Sequence, residues 1–229
     1  MPQAVPIKRL YLHVADQLSA MIRSGELKIG QRLPSERDLA ARFSVSRPTV
    51  REAIVTLEVM KLVEVRPGSG VYVREAVGSR IEVPEDLPGP FEIPEARKVL
   101  ESEIAAIAAD RISNDDLLRL KTLLKKLDSP TRSVTEIERH DQEFHTVIAE
   151  ATGNSALVSC VKWLWDLRRE SEISAMFHEH ARETGSRPAV DEHRAILAAL
   201  MKRDARAAHD AMQRHLVRVI EDLTERSLG

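Results

Sequence analysis

Four polar side chains fall on apolar helical faces in the second half of the chain. Asp141 and His145 are four residues apart, so they share one face of a predicted helix. His193 and His215 occupy similar positions in two later segments. The apolar residues on these three faces are Ile137, Phe144, Ile148, Ile196, Leu197, Leu200, Ala208, Met212 and Val219. This pattern directs one carboxylate and three imidazoles into an apolar interior.

Buried polar groups need a partner, because an unsatisfied one costs about 1–3 kcal/mol in proteins. A divalent metal held by three imidazoles and one carboxylate would satisfy all four groups. The imidazole-rich set favours zinc, with nickel or manganese as alternatives. The pattern leaves a second interpretation open, in which the three histidines are hydrogen-bonded separately in an ordinary core. The remaining late histidines are expected on the surface: His140, His178, His180 and His209.

A second set of chemically capable side chains lies near the N-terminus. Ser46, Arg47, Thr49 and Arg51 cover the first turn and a half of a predicted helix, whose first turn tolerates Pro48. Hydroxyl and guanidinium groups at such a position can reach base edges in the major groove of DNA, which admits one helix. On an isolated surface helix the same residues would form an ordinary solvated face.

The neighbouring elements favour the DNA-binding interpretation. Residues 8–24 have helical spacing of apolar residues, and Ser35 begins a short second helix before the turn. After the third helix, two short β-type runs flank a Pro-Gly-Ser-Gly sequence at 67–70. They predict a hairpin whose glycines allow a close approach to a DNA backbone. Together these elements predict a winged helix-turn-helix domain over 1–75.

The rest of the chain has a different pattern. A segment with several Gly and Pro residues at 76–89 predicts a linker to a domain at 90–229. That domain has helical periodicity throughout. The predicted helices are roughly 92–111, 114–128, 134–152, 155–180, 188–202 and 204–226. The fold class is therefore mainly α: an N-terminal winged helix-turn-helix followed by an antiparallel all-α helical bundle.

Charge and composition agree with two domains that have different partners. The formal net charge is −2, but residues 1–75 hold twelve basic and eight acidic side chains, so the excess of acid lies in the remainder. This excludes a wholly basic nucleic-acid coat. No apolar run is long enough to span a membrane, and the N-terminus lacks the apolar core of a secretory signal. With a single cysteine, Cys160, the expected location is the cytoplasm.

The N-terminal sequence resembles a known family of bacterial proteins. The resemblance rests on LPSERDLAARFSVSRPTVREAI followed by LEVMKLVEVRPGSGVYV, which are similar to the DNA-binding domain of GntR-type transcription regulators. It covers roughly 8–75. Pro48 stands where the family often has Thr or Ala, which leaves one donor fewer. The DNA contacts that the resemblance implies are Arg37, Ser46, Arg47, Thr49, Arg51 and Gly68.

The C-terminal sequence resembles the all-helical, ligand-binding FCD domain of the FadR branch of that family. The matching stretches are DQEFH, EHRAILAAL and AMQRHL. In the metal-binding members, the matching positions hold the metal, which implies ligation by Asp141, His145, His193 and His215. FadR itself lacks this set and binds an acyl-CoA, so the chain departs from that member.

The resemblance also implies an effector site. The family's effectors are mostly small carboxylates, and Arg97 matches an arginine that binds them. Arg168 and Arg169 are adjacent, so only one can face the interior, and the sequence does not decide which. Trp163 and Trp165 are expected in the core or at a dimer interface. Stretches such as GPFEIPEARKVLES are similar to hexuronate-responsive repressors within this branch.

These observations predict a ligand-responsive transcription regulator, acting as a repressor, that senses a hexuronate or related sugar acid. A homodimer on a palindromic DNA operator is expected, because one recognition helix reads one half-site. One alternative is a regulator of the same family that responds to a different organic acid. Others are a metalloenzyme on the helical bundle, for which the sequence reveals no general acid or base, and an architectural DNA-binding protein with structural histidines.

Overall fold

A computed structural model describes residues 10–66, 68–74, 88–129, 133–170, 174, 175, 178 and 190–226. Of the predicted linker at 76–89, all but Pro88 and Gly89 lies outside these residues, and so does His180. The chain divides into two compact units. The first holds Met1–Gly89, Ser171–Thr184 and Asp222–Gly229, and the second holds Pro90–Glu170 and Gly185–Glu221. The domain boundaries given above, 1–75 and 90–229 with a linker at 76–89, stay a prediction.

The first unit contains the elements of a winged helix-turn-helix in the expected order. Helices α1 (Leu10–Arg23), α2 (Glu36–Phe43) and α3 (Arg47–Val59) precede strands β1 (Val63–Arg66) and β2 (Gly70–Val73). The strands pair antiparallel. Helix α3 packs against α1, α2 and β1, so the recognition helix rests on a common core. That core includes Leu18, Leu39, Val50, Ile54 and Leu57.

Two serines define where the helices of this motif begin. The side chain of Ser35 accepts a hydrogen bond from the backbone N–H of Asp38, and Ser46 accepts one from that of Thr49. Each cap satisfies a backbone donor that the helix leaves unpaired, which stabilises a helix by about 1 kcal/mol. Between the helices, Ser44 adopts a left-handed conformation with φ of 56° and ends α2. The tight turn therefore places the start of α3 directly after α2.

The second unit is built from helices. They are α4 (Glu92–Arg111), α5 (Asn114–Leu127), α6 (Val134–Ala151), α7 (Ser155–Glu170), α8 (Val190–Met201) and α9 (Ala205–Arg226), whose last residues belong to the first unit. Helix α6 packs against α4, α5 and α7, while α8 packs against α4 and α5. The mainly α fold class, with a winged helix-turn-helix and a helical bundle, is confirmed. The predicted segment at 155–180 is described as continuous helix only to Glu170.

The helix starts and the core of this unit follow the sequence pattern. Ser113 and Ser133 each form a capping box, with Asp116 and Glu136 respectively. Trp165 is buried in the core, as predicted, whereas the side chain of Trp163 has 60% of its surface exposed. The central residues of the core include Ile104, Leu120, Phe144, Ile148, Ile196, Leu200 and Leu216. No helix among the described residues is long and apolar enough to cross a membrane.

The core of the second unit predicts a contrast between two leucines of α5. Leu120 is fully buried, whereas Leu118, two residues earlier, is 64% exposed. We expect Leu120→Ala to lower the free energy of unfolding by about 2–5 kcal/mol, because it removes buried methyl groups and leaves a cavity. The matched control, Leu118→Ala, should change it by less than about 0.5 kcal/mol. Urea denaturation followed by circular dichroism measures both, and equal effects would contradict this packing.

Candidate metal centre and nucleic-acid interface

Three helices of the second unit bring the four sequence-predicted metal ligands together. Asp141 and His145 lie on α6, His193 on α8 and His215 on α9. Each offers one ligand atom, and these atoms all lie within 4.8 Å of one another. All four residues are buried. The arrangement therefore has the donor types and the spacing of a site that could hold a divalent cation.

The ring nitrogens that face the centre of this cluster are only partly satisfied by the protein. Nε2 of His193 lies 2.7 Å from Oδ1 of Asp141. Nε2 of His145 lies 3.6 Å from the same oxygen, is buried, and has no hydrogen-bond partner among the described residues. A buried nitrogen without a partner is costly. A cation bound between the rings would accept its lone pair, so the residues present fit a metal.

The outward nitrogens of two rings are held by carboxylates that the sequence did not single out. Nδ1 of His145 is hydrogen-bonded to Oε2 of Glu101. Nδ1 of His215 lies 2.9 Å from Oε2 of Glu192. Such carboxylates fix the tautomer of a ligating histidine, with the proton on Nδ1 and the lone pair of Nε2 facing the metal. Both rings are therefore oriented as metal ligands.

The charges of Asp141 and His215 agree with that role. Burial alone would raise the pKa of Asp141, but the neighbouring His145 and His193, the second of which is hydrogen-bonded to the carboxylate, hold it well below its usual value. Burial lowers the pKa of His215, and the neighbouring positive charges of His193 and His145 lower it further. At neutral pH the carboxylate is ionised and the imidazole of His215 is neutral. These are the forms that bind a cation. Burial alone would lower the pKa of His145, but the carboxylates of Glu101 and Asp141 raise it, so a cation that binds there must displace a proton.

Arg97, the predicted effector-binding residue, is buried beside the cluster. Its Nε donates to Oε1 of Glu101 at 2.7 Å and its Nη2 to Oε2 at 3.4 Å. The guanidinium carbon lies 4.0 Å from the centroid of the Trp165 ring, a cation–π contact. Burial alone would raise the pKa of Glu101, but the charges of Arg97 and His145 and their hydrogen bonds lower it to about 2. Glu101 therefore joins Arg97 to the metal centre as a carboxylate.

The structure distinguishes the two adjacent arginines of α7. The side chain of Arg168 is 14% exposed, contacts Glu138, and places its guanidinium carbon 5.1 Å from the centroid of Trp165. The side chain of Arg169 is 63% exposed and bonds to Asp166 and Gln142. Arg168 is thus the one that faces the interior, on the same tryptophan as Arg97.

The expectation that His140 lies on the surface was wrong. His140 is 2% exposed, and its Nδ1 bonds to the backbone carbonyl of Glu136. It was expected on the surface because it lies outside the apolar stripe of α6. However, α6 packs against three helices, so its buried face is wider than that stripe. His209 is partly exposed, His178 is half-buried, and His180 lies outside the described residues.

Glu101 and Glu192 are the site residues that the sequence reasoning missed. A signal existed for Glu101: it follows Arg97 by four residues and therefore shares its helical face with Ala105 and Ala108, both of which are buried. Glu192 directly precedes His193 in the first turn of α8, where acidic residues are common for reasons unrelated to a metal. Its contact with His215 depends on how two helices pack.

In the first unit, the residues predicted to contact DNA lie at the start of α3, on α2 and at the hairpin turn. Oγ of Ser46 lies 2.8 Å from Oγ1 of Thr49, so the two hydroxyls orient each other while Ser46 caps the helix. Arg37 and Arg47 have largely exposed side chains. Gly68 has φ of 66°, and apart from its chain neighbours no atom of the described residues lies within 4 Å of where a Cβ would stand. An open, left-handed turn of this kind can approach a phosphate backbone closely.

Arg51 has a protein partner that the sequence reasoning did not foresee. Its Nε and Nη2 donate to the two carboxylate oxygens of Glu36 at 3.0 and 2.9 Å. Nη2 of Arg47 lies 3.8 Å from the same carboxylate. Glu36 therefore links the start of α2 to α3 and holds two arginines on one side of the recognition helix. Contact of these residues with DNA remains a prediction.

Comparison with known proteins identifies both parts of the chain. Residues 10–73 match the model of bacterial regulatory proteins of the gntR family, and 92–218 match that of the FCD domain. The Uxu operon regulator of Haemophilus influenzae is 38% identical over 224 residues, which cover 96% of this chain and 84% of that protein. The Exu regulon transcriptional regulator of Escherichia coli K12 is 36% identical over 216 residues, 91% of this chain and 82% of that one.

A solved structure shows the same architecture. A transcriptional regulator of the GntR family from Pseudomonas syringae superposes with a TM-score of 0.52 at 24% identity, covering 94% of this chain and 85% of that one. The fold and the site define a DNA-binding transcription regulator with a helical effector domain. The chain belongs to the GntR family and carries an FCD domain. This membership confirms the predicted class and decides against the metalloenzyme.

The metal centre predicts which histidines are needed to retain a cation. Protein purified without chelator should contain about one divalent ion per chain. His193→Ala and His215→Ala should each lose it and lower the melting temperature, because each removes a ligand and leaves buried polar groups unpaired. His209→Ala, on the same helix as His215, is the control and should keep it. Elemental analysis of the purified variants measures occupancy, and full occupancy in both ligand variants would rule out this centre.

The start of α3 predicts how DNA affinity responds to one substitution. Arg47→Ala should weaken operator binding at least about tenfold, because a bidentate contact to guanine is worth about 1–3 kcal/mol. Arg169→Ala removes an arginine of equal side-chain exposure from the second unit and should leave affinity unchanged. A gel shift on the DNA upstream of its own gene measures both. Binding should also fall steeply with salt, and a flat salt dependence would contradict several phosphate contacts.

Proposed function

We propose that this GntR-family regulator is a repressor whose FCD domain senses a small carboxylate, a hexuronate or related sugar acid, through a bound divalent metal. The observation that carries the proposal is the buried Asp141, His145, His193 and His215 cluster with Arg97 beside it. Zinc is the proposed ion because three of the four ligands are imidazoles, with nickel or manganese as alternatives.

A carboxylate effector fits the charge of this region. A bound cation would supply a Lewis-acidic partner for one carboxylate oxygen. Arg97 supplies a second positive partner, since only its Nε and Nη2 edge is taken up by Glu101. Arg168 adds a guanidinium next to the same tryptophan, and Trp165 offers an apolar ring face. In a water-poor interior, charge-assisted hydrogen bonds of this kind bind an anion strongly.

The relatives favour a sugar acid over other carboxylates. Two of the similar proteins are named for the Uxu operon and the Exu regulon, and the sequence resembles hexuronate-responsive repressors. A regulator of the same family that answers to a different organic acid is the alternative. The choice of effector depends on a few side chains around the site, so thermal shifts with a panel of acids distinguish the sugar acid from a different organic acid.

The proposed assembly is a homodimer on a palindromic operator. One recognition helix reads one half-site, so a two-fold dimer matches the symmetry of a palindrome. Effector binding in the FCD domain would act on DNA affinity through the spacing of the two recognition helices. The expected coupling is typically about 1–3 kcal/mol, which corresponds to a several-fold to hundredfold change in operator affinity. The proposed compartment is the cytoplasm, where such an operator is accessible.

The proposal predicts a linked response to sugar acids. Glucuronate or galacturonate should raise the melting temperature of the metal-loaded protein. At a ligand concentration a hundred times the dissociation constant of the acid, binding adds about 2.7 kcal/mol to the free energy of unfolding. The same acid should shift the gel-shift curve on operator DNA. Arg97→Ala should abolish both effects while DNA binding without ligand persists, because the first unit is untouched. Arg169→Ala, an exposed arginine of the same domain, is the control and should respond normally.

Two outcomes would count against specific parts of the proposal. If wild-type protein shows neither a thermal shift nor a change in DNA affinity across uronates, aldarates and short hydroxy acids, the sugar-acid sensor is wrong. If a short hydroxy acid alone produces both effects, the alternative effector class replaces it. Analytical ultracentrifugation tests the dimer separately, and a monomer at the concentration that binds operator would contradict the proposed assembly.

A further inference from the structure

Among the described residues, His145 and His215 each contact a carboxylate through Nδ1, and these two carboxylates differ in what lies behind them. Behind Glu192 stands Arg218, whose side chain is 41% exposed. Behind Glu101 stands Arg97, which is buried and lies on the ring of Trp165. The pair of Glu192 and Arg218 therefore lies close to solvent. The pair of Glu101 and Arg97 is buried, and Arg97 is the residue that the proposed effector site requires.

Glu101 uses both of its oxygens to join these two sites. Oε2 bonds to Nδ1 of His145 and also accepts from Nη2 of Arg97, while Oε1 accepts from Nε of Arg97. Arg97, Glu101 and His145 are all almost completely buried, so these contacts are shielded from bulk water. The position of the guanidinium and the orientation of the imidazole are thus set by one carboxylate.

The geometry also leaves part of Arg97 available to a ligand. The side-on pair uses Nε and Nη2, and Nη1 has no hydrogen-bond partner among the described residues. The ring of Trp165 restrains the plane of the guanidinium. A carboxylate could therefore bind the free end of Arg97 without displacing Glu101, and the guanidinium would already be oriented for it.

We propose that Glu101 is the positioning residue that couples the two sites, holding Arg97 for the effector and His145 for the metal, whereas Glu192 joins His215 to the partly exposed Arg218. The inference rests on the proposed function for the identity of the effector, but the link between Arg97 and the metal centre does not depend on it. Metal affinity should therefore respond to changes at Arg97, although Arg97 is not a ligand.

A double-mutant cycle with zinc alone tests this link. Arg97→Lys keeps the charge but cannot make the side-on pair. It should weaken zinc binding at least about fivefold in the wild-type background and in the Glu192→Gln background. In the Glu101→Gln background it should change zinc affinity less than about twofold, because the connection is already broken. Equal effects of Arg97→Lys in all three backgrounds would overturn the coupling.

A second measurement uses the sugar acid at saturating zinc. Each glutamine variant should weaken zinc binding by about 10–100-fold, as loss of a partner behind a ligand does. Once zinc is saturating, the exposed control Arg169→Ala should bind glucuronate or galacturonate with wild-type affinity. Glu101→Gln should bind it at least about tenfold more weakly, because Arg97 is no longer held. Wild-type affinity in Glu101→Gln would overturn the proposal.

The two measurements separate this proposal from the function it builds on. If wild-type protein binds no sugar acid, the effector assignment fails, and the zinc cycle still decides whether Glu101 couples Arg97 to the centre. Helical circular dichroism and operator binding verify that each variant is folded. Should Glu101→Gln not fold, Glu101→Asp takes its place, because a shorter carboxylate cannot span Arg97 and His145, and the same outcomes apply.

Discussion

The structure of the FCD domain depends on four polar side chains that are buried at the contact of three helices. An unsatisfied polar group in such a place costs more than most single core contacts contribute. The protein itself satisfies most of the cluster: Asp141 accepts from His193, and Glu101 and Glu192 bind the outer nitrogens of His145 and His215. Among the described residues, Nε2 of His145 has no hydrogen-bond partner. A cation would complete the interior, so its binding and the packing of α6, α8 and α9 stabilise each other.

The same physical argument explains why acidic residues recur behind basic ones in this domain. Where the structure describes an arginine with little exposed surface in this domain, it lies against a carboxylate, because an isolated charge in a low dielectric would be very costly. Arg97 with Glu101 and Arg168 with Glu138 follow this rule. In the DNA-binding unit, Glu36 similarly binds Arg51 and holds Arg47 nearby. In each case the carboxylate restricts the position of a guanidinium that is proposed to meet an anion.

Periodicity and capping signals predicted the helices and the apolar faces that carry the four polar side chains, whereas their joint role as ligands came from the resemblance to the FCD domain. The spacing of Asp141 and His145 on one helical face, and the serines at the helix starts, are local features that sequence contains directly. Glu192 could not be assigned in that way, because its contact with His215 spans two helices. His140 was misplaced since a single apolar stripe does not reveal that α6 is covered by three helices. The choice between Arg168 and Arg169 likewise needed tertiary packing.

The position of Glu101 separates two ways in which an effector could act. If Arg97 were a free surface cation, an anion would only add a contact, and the metal centre would be unaffected. Here the carboxylate that orients Arg97 also orients His145, so any displacement of the guanidinium is transmitted to a ring on α6. Helix α6 in turn packs against α4, α5 and α7. A ligand that binds Arg97 and the metal together therefore acts on the packing of the domain, which is the differential interaction that a conformational response requires.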